Sequence, residues 1–199
     1  MSTATNVTAQ AVNTIEWLSA SGTTIVVPVY QRQYRWDIGG CEKLLADVRA
    51  VAASNDAHTH FIGSILSGES TAVTTGPDDV AELVLIDGQQ RITTLMLLVA
   101  ALHHTVRADN PVLAAELERV LVRASDPHRT KLRPHRAWAE VFEKVVLEKT
   151  GEHEARDSRF DDNYAFFRSQ IRADEVAHIW RGLQKLEHVA ITLGADANR

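Results

Sequence analysis

The sequence has almost nothing with which to cross-link itself. Cys41 is its single cysteine, which excludes an intrachain disulfide and any cysteine-based zinc site. No apolar run approaches the roughly 18–20 residues that span a bilayer, and the polar stretch from Met1 to Gln10 has no signal-peptide core. A soluble cytoplasmic protein without a membrane partner is the expectation. Excess positive charge is missing too. Lys and Arg number 21 against 26 Asp and Glu, a net charge of −5. A generic polyanion binder is thereby excluded, so any contact with DNA must come from a local basic patch. There is no Gly-x-x-x-x-Gly-Lys-Ser/Thr loop, so a nucleotide would be held without a Walker A motif. There is no Gly-x-Ser-x-Gly elbow and no plausible Ser/His/Asp set. The histidine pairs make poor metal sites. His58 and His60 lie in a polar stretch without a third ligand, and His103 and His104 are neighbours on a helix that point to different faces. They read as solvated or core histidines, and Cys41 reads as a small buried residue.

What is present is an ordinary globular composition. Of 199 residues, 45% are hydrophobic and 24% charged, enough for one core or a core with a helical annex. Residues 1–10 are small and polar and are expected to be disordered. A short helix is expected over Ala11–Ser19, a strand over Thr24–Val29, a helix over Cys41–Ala53 behind a cap at Asp37–Gly40, and a strand over Phe61–Leu66. Ser67–Asp79 reads as a hairpin-like loop. A strand over Glu82–Ile86 then runs into a helix over Arg91–Val106 that is apolar nearly all round, which places it in the core. Beyond Asn110-Pro111 the pattern is helical: Val112–Ala124, Trp138–Thr150, Tyr164–Ala173 and Asp174–Leu186, with Lys131–Pro134 short and extended. Val189–Leu193 reads as the start of a strand or helix, and the chain as a piece of a longer protein. The expected class is α+β: a small mixed unit over 11–110, then a helical extension over 111–199.

Two stretches carry more polar chemistry than a core needs. Asp87-Gly88-Gln89-Gln90-Arg91 sits at the corner between the buried strand and the buried helix. A helix start offers free N–H groups and partial positive charge to an anion. Asp87 could hold Mg²⁺ or orient a water, Gly88 would let a ligand approach the backbone, and glutamine could position water or meet a base edge. Arg91 suits phosphate oxygens. The plainer alternative is a helix start with Asp87 as N-cap. The second stretch is Tyr30-Gln31-Arg32-Gln33-Tyr34-Arg35-Trp36, where arginines interleave with aromatics as nucleic-acid surfaces do. In an extended backbone Tyr30, Arg32 and Tyr34 would face one way and Gln31, Gln33 and Arg35 the other. The plainer alternative packs Tyr34 and Trp36 into the core and leaves the arginines in solvent.

Together with Val27-Pro28-Val29 and Phe61-Ile62-Gly63-Ser64-Ile65, these stretches resemble the N-terminal domain of GmrSD-type restriction proteins, a relative of the ParB/sulfiredoxin fold. The similarity is greatest to the SspE branch, which senses phosphorothioate-modified DNA. The resemblance implies an anti-phage NTPase, with GTP as the nucleotide and Mg²⁺ as the ion, coupled to a C-terminal HNH nuclease domain that this chain does not contain. It implies catalytic roles for Asp87, Gln89, Gln90 and Arg91, with Asp87 on the metal. Nucleotide contacts would fall to Gly88, Arg91, Arg32 and Thr93. DNA sensing would fall to Pro28, Tyr30, Gln31, Arg32, Gln33, Arg35 and Trp36. A sulfur on phosphate is large, polarisable and a poor acceptor, so its pocket should set apolar or ring-edge groups beside a cation, as Pro28, Tyr30 and Arg32 would. The alternative is a ParB-like DNA-binding module without nucleotide turnover.

Overall fold

In the computed structural model, the described residues are 7–55, 58–69, 81–149 and 158–194. They begin with β1 (Val7–Asn13), α1 (Thr14–Ser19), β2 (Thr23–Val26), α2 (Ile38–Ala53), β3 (His60–Glu69), β4 (Ala81–Asp87) and α3 (Gln89–Val106). They continue with α4 (Pro111–Leu121), β5 (Leu132–Arg133), α5 (Arg136–Leu147), α6 (Arg159–Gln170), a 3-10 turn (Ala173–Glu175), α7 (Val176–Leu183) and β6 (Leu186–Leu193). Among these residues, six strands make one mixed sheet in the order β1-β6-β3-β4-β2-β5. The class is α+β, as the sequence implies.

Helix starts follow their polar caps. Asn13 accepts from Ile15 N and Glu16 N at 3.0 Å. Asp37 accepts from Gly40 N at 2.9 Å, and Asn110 from Leu113 N at 3.1 Å, with Pro111 in the first turn. Helix α3 is the centre of the fold. Leu95 through Leu102 are all buried, and α4, α5, α6 and α7 pack against the helix. Each Leu, Val or Met buried there contributes about 1.5–3 kcal/mol relative to exposure. That burial holds α3, and so the corner at its start, in place.

Several expectations need correction. Residues 7–10 belong to an edge strand. β1 runs antiparallel to β6 from Val7 opposite Leu193 to Asn13 opposite Glu187, so the expected helix over Ala11–Ser19 shortens to Thr14–Ser19. The partner that orders β1 lies almost a whole chain away, beyond the reach of any local pattern. Val189–Leu193 is strand, part of β6, seated between β1 and β3. The second half is therefore not helices alone, and the division expected at residue 110 crosses a single sheet. Ser67–Glu69 continue β3 rather than opening a loop. The rest of that loop, 70–79, and residues 1–6 lie outside the described residues.

Candidate functional site

The corner is built around Gly88. Strand β4 ends at the exposed Asp87, and Gly88 turns the chain with a left-handed φ of +94°. A Cβ at Gly88 would come within 3.1 Å of Ile65 Cγ1, so both conformation and space demand glycine here. Gly88 is also the N-cap of α3 and offers no side-chain cap, so Asp87 is not the cap. The first internal bond of the helix runs from Ile92 N to Gly88 O at 3.1 Å. The N–H groups of Gln89, Gln90 and Arg91 precede it and have no acceptor within the helix.

The two glutamines of the corner reach back to the Tyr30–Trp36 segment. Gln89 Nε2 donates to Arg32 O. Gln90 Nε2 donates to Gln33 O at 3.1 Å, and Gln90 Oε1 accepts from Arg35 N at 2.8 Å. From the segment, Gln31 Nε2 donates to Ile86 O at 2.7 Å, on the penultimate residue of β4. Three glutamine amides thus clip the segment across the helix start. Each is spent at least in part on backbone groups. Gln90 has both ends of its amide engaged. Gln89 does not: its Oε1 is buried and has no donor.

The segment itself is not uniformly extended. Gln31 N donates to Pro28 O at 3.1 Å, closing a turn that leaves Val29 and Tyr30 at the tip, 73% and 75% exposed. The alternation of faces therefore fails. Tyr34 points inward, where its hydroxyl meets Thr94 Oγ1 at 2.7 Å and receives Asn163 Nδ2 at 2.8 Å. Burial pushes that phenol well above the usual tyrosine range. Asn163 Nδ2 also donates to Trp36 O at 3.0 Å. Tyr34 and Trp36 pack on the core, while Arg32, Gln33 and Arg35 are exposed.

Arg91 leans the other way, over β3. Its Nη1 donates to Ser64 O at 3.0 Å, and the guanidinium covers Gly63, where a Cβ would stand 3.2 Å from Nη2. Gly63 has φ +99° and lies in the irregular pairing between β3 and β6. The positive charge of Arg91 and, above all, burial hold His188 down to about 4. That imidazole is fully buried on β6, with Nδ1 3.0 Å from Thr14 Oγ1 and Nε2 without a partner.

A cleft of about 180 Å³ opens at the corner, with Arg32, Trp36, Asp87 and Arg91 on its wall. It brings together residues of the two sequence stretches. Thr93 is not among them. It is buried and faces a second hollow of about 240 Å³, lined also by Val27, Tyr34, Trp138 and Phe160. Pro28 and Tyr30 stand outside the corner cleft as well. The sequence reading missed Asn163, Trp138 and Phe160. Asn163 carried one signal: it occupies the buried stripe of α6 between Phe160 and Phe167, where a polar residue calls for a partner.

The histidines divide between surface and core. His58 is exposed, His104 is buried beside Tyr164 with Nδ1 2.7 Å from its hydroxyl, and no cluster of metal-ligating side chains occurs among the described residues. Cys41 is fully buried, and burial raises its thiol to about 12. No helix among the described residues is long and apolar enough to cross a membrane.

The fold and corner define an α+β domain whose polar site lies where a strand hands over to a core helix, under a clipped arginine-bearing segment. A family model for the GmrSD restriction endonuclease N-terminal domain matches residues 15–198, and the chain belongs to that family. It is thus part of a restriction protein, which ties it to antiviral defence and to DNA. No curated protein matches the chain.

Proposed function

We propose that this chain is the nucleotide-hydrolysing and DNA-sensing unit of a modification-dependent restriction protein acting in the cytoplasm. GTP is the proposed nucleotide, phosphorothioate DNA the proposed signal, and an HNH nuclease domain elsewhere in the protein the proposed effector. One observation carries the reading. Three glutamine amides clip the Tyr30–Trp36 segment to the helix start, so Arg32 and Asp87 line one cleft with Arg91.

The roles follow from what each group has free. Arg91 keeps most of its fork beyond the bond to Ser64 O, and Arg32 has no ion-pair partner among the described residues. Both suit phosphate oxygens, beside the N–H groups of the helix start. Asp87 is exposed and would hold Mg²⁺ through its carboxylate oxygens, and the ion would supply neutralisation of phosphate charge. Gln89 and Gln90 position the segment rather than the attacking water. Val29 and Tyr30, exposed at the tip beside Arg32, are the apolar and ring groups that a phosphorothioate sulfur would prefer.

The test is GTP turnover with Mg²⁺ and no DNA, a plain duplex or a phosphorothioate duplex, for wild type, Asp87→Ala and Arg91→Ala. Slow turnover raised by the phosphorothioate duplex, and lost in both variants, is expected. DNA binding without turnover in any arm would replace this reading with a ParB-like DNA-binding module.

A further inference from the structure

Neither hollow beside the helix start can take a whole nucleotide. They measure about 180 and 240 Å³, against roughly 300–1,000 Å³ for common small-molecule sites. Yet they adjoin, because Gln31, Arg32, Gln89 and Gln90 contribute to the walls of both. Their chemistry is complementary. The corner cleft is charged, with Arg32, Asp87 and Arg91. The second hollow adds aromatic and apolar groups, Tyr34, Trp138, Phe160 and Val27, to the polar residues that the two share. Phe160 is buried and stacks on Tyr34 at 5.2 Å, so half-buried Trp138 and Tyr34 are the rings it can offer to a ligand.

The wall between them holds an unanswered group. Gln89 is 7% exposed, its Nε2 is spent on Arg32 O, and its Oε1 has no donor. A buried acceptor without a donor is costly, and Gln89 Oε1 is enclosed in the wall, so turning the amide toward a ligand that brings an O–H or N–H would relieve that cost.

We propose that the two hollows are halves of one ribonucleotide site. The phosphates lie at the corner, the base lies against Trp138 and Tyr34, and a ribose hydroxyl donates to Gln89 Oε1. This rests on the corner being a nucleotide site. It adds the base pocket, the sugar contact and the residues Trp138 and Gln89 that read them. A base flipped out of DNA would fill the aromatic hollow equally well. Its sugar, however, has both oxygens esterified within the strand and no free hydroxyl, so Gln89 would stay unanswered.

Four probes separate these outcomes: inorganic triphosphate, a ribonucleoside triphosphate, its 2′,3′-dideoxy counterpart and a short single-stranded DNA. Each is titrated with Mg²⁺ against the full chain, reading Kd by calorimetry and tryptophan fluorescence. The ribonucleotide should bind on the order of 10- to 100-fold more tightly than inorganic triphosphate and quench fluorescence, because stacking adds to phosphate contact. The dideoxy form should bind on the order of tenfold more weakly than the ribonucleotide. Trp138→Ala should bring the ribonucleotide down to inorganic triphosphate, and Trp138→Phe should keep most of the affinity and lose most of the quench. Equal binding of triphosphate and ribonucleotide to wild type overturns the proposal, and so does quenching by DNA alone. Ribonucleotide binding untouched by Trp138→Ala overturns the base pocket while the corner stands. No binding of any triphosphate would instead remove the corner reading itself. If Trp138→Ala does not fold, the wild-type series still decides.

Discussion

The two ends of α3 both carry polar clusters, and they are built on opposite plans. At the C-terminal end charges answer one another. Glu148 takes Arg107 at 2.6 Å and the Tyr164 hydroxyl at 2.8 Å, and that hydroxyl meets His104 at 2.7 Å. Arg168 donates to Thr105. Burial holds His104 down to about 4, so it stays neutral inside the network. His103 Nδ1 alone is left unpaired there, with its ring edge-on to His104. At the N-terminal end, by contrast, the amides are used to hold a neighbouring segment. Arg32 and Asp87 have no ion-pair partner among the described residues, and Gln89, in the wall of the cleft, keeps a buried Oε1 without a donor. A network that closes on itself stabilises a fold; one left open at a cleft is placed to receive something. The histidine pair on α3 belongs to the first plan and the Asp-Gly-Gln-Gln-Arg corner to the second.

That contrast can be broken by experiment. Arg91→Ala should lower nucleotide turnover by on the order of 100-fold, the scale of a lost donor to transition-state charge. Its thermal midpoint should move by only a few degrees, because one hydrogen bond to Ser64 O is lost. Equal losses of turnover and stability would show the corner to be as structural as the other end. Tyr164→Phe should do the reverse: a loss of about 1–3 kcal/mol in denaturant unfolding, with turnover per folded molecule unchanged, since it leaves His104 and Glu148 without their shared hydroxyl. Gly88→Ala should cost about 1–3 kcal/mol for left-handed backbone, and the contact with Ile65 adds to it. Gln90→Ala releases two bonds to the segment, at about 1–2 kcal/mol. Its clearer readout is faster tryptic cleavage after Arg32 and Arg35, and unchanged cleavage would remove the clip. A further effect is that of pH. His104 and His188 are held near 4 in the folded chain, below their unfolded value of about 6.5. The unfolded chain therefore binds more protons between those values. Stability is full above about pH 6.5 and falls as pH drops toward 4. Urea midpoints at pH 7.5 and 5.5 measure this, and His188→Gln should flatten the slope.

Much of the site was visible in the residues. The corner could be placed because a buried strand, a polar run and an apolar helix follow each other without spare chain, and Gly88 sits where the turn needs it. The Tyr30–Trp36 segment stood out by its arginines and rings. What those residues do was less visible. Gln89 and Gln90 look like groups for water or a base, yet their amides go to the backbone of Arg32, Gln33 and Arg35. Tyr34 could be read as sharing a face with Tyr30 and Arg32 or as packing on the core, and Thr94 and Asn163 draw it inward. Trp138 read only as the start of a helix, and Phe160 lay ahead of the helix expected from Tyr164, until the fold set them beside Tyr34.

By itself, the sequence determined the core helix, the glycine at its start, the helix caps and the polar corner, because each depends on neighbours within a few positions. Only the tertiary structure decided that β1 and β6 pair, that the corner glutamines clip a distant segment, and that a charged cleft adjoins an aromatic hollow. Those features depend on backbone groups and rings far apart in the chain. A local pattern can show that a polar side chain needs a partner, and only the folded chain supplies it.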